Sequence, residues 1–130
     1  MSDIGAVTQV KVLVCITCRA AVDPEIPPAG AALATATAVA AANAPDISVQ
    51  RVRCLGNCSR GLSAAIRYEN AWTYVFGGLD AAQDGPALII AARLLARSTD
   101  GIMPWRGRPD SLKRGLIARV PPVNFCEEPQ

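Results

Sequence analysis

Four cysteines in two tight pairs, Cys15-x2-Cys18 and Cys54-x3-Cys58, constrain this chain more than any other feature. Thirty-five residues, 19–53, separate the pairs, and the sequence contains no histidine. Four thiolates complete the coordination shell of one zinc ion or one small iron–sulfur cluster. Each pair follows a run that reads as a β-strand, so the fold can bring both pairs to one pole.

The absence of histidine excludes several chemistries. Mixed Cys/His zinc sites, Ser-His-Asp and Cys-His nucleophile systems, and Rieske-type ligation all need an imidazole. No general acid–base pair stands out, because Asp23 and Glu25 read as solvated loop carboxylates. The expectation is a protein without substrate turnover of its own. A net charge of +2 with no polybasic run gives no electrostatic case for nucleic acid. The start, Met1-Ser2-Asp3, is acidic and polar rather than leader-like, and the longest apolar stretches are too short and alanine-rich for a bilayer. These features point to a soluble, cytoplasmic protein, where paired cysteines more often hold metal or do redox work than form disulfides.

The hydropathy pattern predicts one α/β domain over residues 1–130, with a core of about 9–98 and an extension at 99–130. Residues 10–14 form a β-branched run ending at Cys15. A proline-rich loop, 23–28, precedes an alanine-rich helix at 30–42 that Asn43 and Pro45 end. A second strand, 47–53, delivers the chain to Cys54. Runs 63–68 and 72–76 read as a hairpin joined by residues 69–71, with Gly77-Gly78 breaking the sheet. Pro86 suits the first turn of a helix capped by Asp84 or Gly85, with Leu88, Ile89, Leu94 and Leu95 as its apolar stripe. The order β-α-β then β-β-α matches a thioredoxin-like mixed sheet with packed helices. The extension reads as a loop at 101–109, a short helix at 110–117, and extended or disordered residues beyond. With only two each of Phe, Trp and Tyr, the core is aliphatic.

A 2Fe-2S cluster takes two thiolates on each iron, which two short-range pairs supply. The segment around Cys54 and Cys58 suits such a centre: Gly56 and Asn57 tolerate left-handed backbone and can turn amides towards sulfur. Arg51, Arg53 and Arg60 place positive charge nearby, or are simply solvated ends of a strand and loop. A structural zinc site would use the same four residues, although zinc ribbons join their knuckles with about 15–20 residues. Cys15-Ile16-Thr17-Cys18 after a strand also suggests a thiol–disulfide redox site, but prolines follow it and Cys54 and Cys58 then have no role. Cys126 reads as a surface or packing thiol rather than a fifth ligand. Trp72, Tyr74 and Phe76 alternate as strand-packing residues. Trp105, beside Arg106 and Arg108, either anchors the C-terminal loop or offers a docking surface.

Three stretches together resemble a known family: Val-Leu-Val-Cys-Ile-Thr-Cys-Arg from Val12, Val-Arg-Cys-Leu-Gly-Asn-Cys-Ser-Arg-Gly from Val52, and Pro-Trp-Arg-Gly-Arg-Pro from Pro104 followed by Ala-Arg-Val-Pro-Pro. They resemble a bacterial family of small proteins usually described as predicted metal-binding and related to thioredoxin-like 2Fe-2S ferredoxins. The resemblance runs from Val10 to Pro122. It implies Cys15, Cys18, Cys54 and Cys58 as cluster ligands, a one-electron carrier (a ferredoxin) with an unidentified reductase or acceptor as redox partner, and a homodimer. It also implies an association with cobalamin biosynthesis. The first pair departs from the better-known ferredoxins of this fold, whose first two cysteines are spaced much more widely.

Overall fold

A computed structural model of the chain describes residues 9–17, 29–57 and 61–127. Five strands form one mixed sheet in the order β2-β1-β3-β4-β5. In chain order the elements are β1 (Val10–Cys15), α1 (Ala29–Ala40), β2 (Ile47–Val52), β3 (Leu62–Arg67), β4 (Thr73–Leu79), α2 (Asp84–Arg97), α3 (Asp110–Arg114) and β5 (Leu116–Val120). β1 and β2 run parallel, as a strand–helix–strand crossover through α1 requires, and the other pairings are antiparallel.

Side-chain alternation assigns the two faces of the sheet. Val10, Val12 and Val14 are buried on one face, and the register sets Ile66 and Ala64 beside Val12 and Val14, with Tyr74 and Phe76 next in line. Both long helices pack on this side and against each other. The buried stripe of α1 is Gly30, Leu33, Ala34 and Thr37, the i, i+3, i+4, i+7 spacing of one helical face. Thr37 satisfies its buried hydroxyl by donating to the Leu33 carbonyl at 2.7 Å. The helices approach closely because Gly85 has no side chain: a Cβ there would stand 2.8 Å from the Ala36 carbonyl carbon. The alanine-rich composition therefore produces a tight helix–helix seam. Of the expected α2 stripe, Leu88, Ile89 and Leu95 are buried and Leu94 is half-buried.

Four local expectations are corrected. Gly77-Gly78 does not break the sheet, because β4 continues through both and a register shift lets Leu79 pair with Leu62. Neither Asp84 nor Gly85 caps α2. Gln83 occupies that position without a side-chain bond, and Asp84 lies inside the helix, accepting Asp80 N–H and the Ser111 hydroxyl, each at 2.7 Å. The expected helix at 110–117 stops at Arg114. Gly115 donates to Ser111 O and accepts from Gly77 N–H, turning the chain into β5, which takes up hydrogen-bonding groups that β4 would otherwise expose. Finally, Trp105 does not anchor the C-terminal loop. It is 60% exposed, with Arg108 and Lys113 over its ring at 5.2 and 5.1 Å. The anchor is Arg108, buried against the Tyr74 ring and donating to the Met103 and Pro104 carbonyls. Burial pushes the Arg108 pKa below its ordinary value, against an upward pull from Tyr74.

Candidate metal centre

The parallel pairing of β1 and β2 decides where the cysteines go. The register sets Cys15 opposite Val52, so both strands release the chain at the same pole and in the same direction. The ladder continues one residue further, with Ile16 N–H donating to Val52 O at 2.9 Å. Cys15, the last residue of β1, is fully buried, and Cys54, two residues beyond β2, is exposed. The segments that carry the two cysteine pairs thus leave the sheet side by side.

Thr17 fastens these segments together. Its hydroxyl donates to the Arg53 carbonyl, and Cys15 Sγ lies 3.6 Å from both Thr17 Oγ1 and that same carbonyl oxygen. One side chain between Cys15 and Cys18 is therefore bonded to the residue immediately before Cys54. Sequence reading missed Thr17, since a threonine inside Cys-x2-Cys carries no signal until its partner across the strands is known.

Beyond Cys54, Gly56 takes a left-handed conformation (φ +75°) and directs its amide to Cys54 Sγ at 3.2 Å. This is the amide-to-sulfur contact anticipated for that glycine. Asn57 behaves differently from expectation: its backbone is not left-handed, and its side-chain amide donates to Ser63 Oγ at 3.0 Å. Ser63, fully buried, donates in turn to Gly61 O at 3.1 Å. One hydroxyl on β3 thereby ties residues 57 and 61, the two flanks of the segment that contains Cys58. The role of Ser63 was also invisible in the sequence, where it is an unremarked residue in an apolar run.

Cys18, Cys58 and Arg60 lie outside the described residues. Among the described residues no group of three or more Cys, Asp or Glu side chains gathers as a metal site. Arg51 and Arg53 are exposed, and Arg51 donates to Thr35 Oγ1 on α1 at 3.3 Å. Cys126 belongs elsewhere. It follows Phe125, which meets Trp72 edge-on at 5.6 Å just before β4, at the end of the sheet opposite Cys15. No helix among the described residues is long and apolar enough to cross a membrane.

A thioredoxin-like [2Fe-2S] ferredoxin from Aquifex aeolicus has the same fold, with a TM-score of 0.52 at 16% identity over 91% of this chain and 99% of that one. The architecture is thus thioredoxin-like, as the element order indicated. No curated protein matches the sequence. Both cysteine pairs, with all of β2 and most of β1, fall within residues 12–122, which match the family described as "Protein of unknown function (DUF1636)", and the chain belongs to that family.

Proposed function

We propose that this protein is a one-electron carrier in which Cys15, Cys18, Cys54 and Cys58 hold a 2Fe-2S cluster at the pole where β1 and β2 end. The observation that carries this reading is the joining of the two cysteine segments through Thr17 and the Arg53 carbonyl. The donor set suits the group: thiols without competing histidine, and a backbone amide already directed at one sulfur. The shared fold with a thioredoxin-like [2Fe-2S] ferredoxin is consistent with it.

Bound there, such a cluster would accept and release a single electron. The chain's own task is to stabilise negative charge on sulfur. Burial of Cys15 opposes that charge, so directed amides such as Gly56 N–H become important. Thr17 and Ser63 fix the backbone from which the ligands project, which limits rearrangement between charge states. In this reading the chain turns over no substrate, works in the cytoplasm as a homodimer and exchanges electrons with protein partners. The family resemblance extends the proposal to electron supply for corrin-ring or cobalt reduction in cobalamin biosynthesis.

Anaerobic purification tests the proposal directly. A red-brown protein with broad visible absorption and about two irons and two labile sulfides per chain is expected. A colourless protein with about one zinc would replace the carrier with a structural zinc module on the same cysteines. Metal-free protein that cycles between dithiol and disulfide would assign a thiol redox role instead.

A further inference from the structure

The sheet carries a second polar constellation at the end away from the cysteines. On the face opposite the helices, Lys11 of β1 stands directly across from Arg67 of β3. Ser48 of β2 flanks Lys11, and continuing the Ile66–Tyr74 register brings Thr73 of β4 beside Arg67. The result is a row of hydroxyl, cation, cation and hydroxyl across four strands. Like charges directly opposite on neighbouring strands are unfavourable. Both cations are exposed, and among the described residues neither makes a hydrogen bond, ion pair or ring contact.

The two cations line an open cleft of about 970 Å³, bounded by residues 68–71 of the β3–β4 hairpin and by residues 120–124. Other lining groups, including Gln9, Tyr68, Asn70 and Asn124, offer neutral hydrogen-bonding atoms. Among the described residues of the lining Glu69 is the one carboxylate, and it is itself engaged in an interaction. Lys11 precedes Cys15 by four residues, so the cleft lies about 13 Å along the strand from that cysteine.

We propose that this cleft binds a small oxyanion ligand, a phosphate or carboxylate group seated between Lys11 and Arg67. An oxyanion there would cancel the cross-strand repulsion, and the Arg67 guanidinium would bind it through two parallel N–H donors with Lys11 as a point charge. Ser48 and Thr73 extend the donor row on either side. The inference is independent of what the cysteines bind.

Calorimetric titration of the full chain with inorganic pyrophosphate and, separately, with malonate, at matched ionic strength, tests it. At least one anion is expected to bind saturably, and Lys11→Gln or Arg67→Gln to weaken it about tenfold or more. The variant Arg106→Gln, which removes an exposed cation outside the cleft lining, is expected to bind as the parent does. Which anion binds distinguishes a phosphate from a carboxylate ligand. Absence of binding by both anions above a sodium chloride blank, or equal binding by the Lys11 and Arg67 variants, would overturn the assignment. Thermal unfolding of each variant in low salt confirms that it is folded.

Discussion

Ser63→Ala isolates the tether on the Cys58 segment. The Ser63 hydroxyl is fully buried and makes two bonds, accepting from Asn57 at 3.0 Å and donating to Gly61 O at 3.1 Å. Replacing it with alanine deletes one oxygen and leaves almost no void, so packing contributes little. The loss is the two hydrogen bonds. Both partners are half-buried, and water can partly replace the hydroxyl, which puts the cost towards the lower end of the usual range, about 1–2 kcal/mol. For a domain of this size that corresponds to a fall in Tm of roughly 3–8 °C. The tether closes the flanks of the segment that includes Cys58, so the same free energy should appear as a roughly 5- to 30-fold faster loss of visible absorption when a chelator is added to the assembled protein. Asn57→Ala removes only one of the two bonds and should give a smaller effect in both assays. A variant that melts earlier yet keeps its chromophore as long as the parent would refute the tether's bearing on the ligand segment. An unchanged Tm would refute the hydrogen-bond account itself.

Three further outcomes follow from the structure. Gly85→Ala places a methyl 2.8 Å from the Ala36 carbonyl carbon. Overpacking of about 1–3 kcal/mol should exceed the helix-propensity gain of about 1 kcal/mol, so the urea midpoint should fall; a raised midpoint would show that the helices can separate at no cost. Asp84→Ala strips the acceptor from Asp80 N–H, just beyond β4, and from the Ser111 hydroxyl of α3, and should cost about 2 kcal/mol in chemical denaturation. Cys54→Ser and Cys58→Ser should each abolish the visible chromophore of anaerobically purified protein, whereas Cys126→Ser, at the opposite end of the sheet, should leave its spectrum intact; colour lost with Cys126→Ser alone would overturn the ligand assignment.

The sequence by itself determined the large elements and the chemistry on offer. β-branched runs before Cys15 and Cys54, an alanine-rich stretch between them and a proline-started apolar helix near residue 86 are local signals, governed by chain stiffness and side-chain periodicity, and the strands and helices formed there. Four paired cysteines and no histidine likewise restrict the ligand types whatever the fold.

Only the tertiary structure decided the rest, because it depended on partners distant in sequence. Residues 116–120 are a strand since β4 presents an open edge to them, although their local pattern read partly as helix. Gly77-Gly78 stays within the sheet since Leu62 pairs with Leu79 just beyond them and Gly115 O accepts from Gly77 N–H. Thr17 and Ser63 acquired their roles from a carbonyl 36 residues away and an amide across a loop. The Lys11–Arg67 opposition likewise exists only in the β1–β3 register. Hydrogen bonds and charges act over a few ångströms, and which groups come that close is fixed by strand pairing rather than by local sequence.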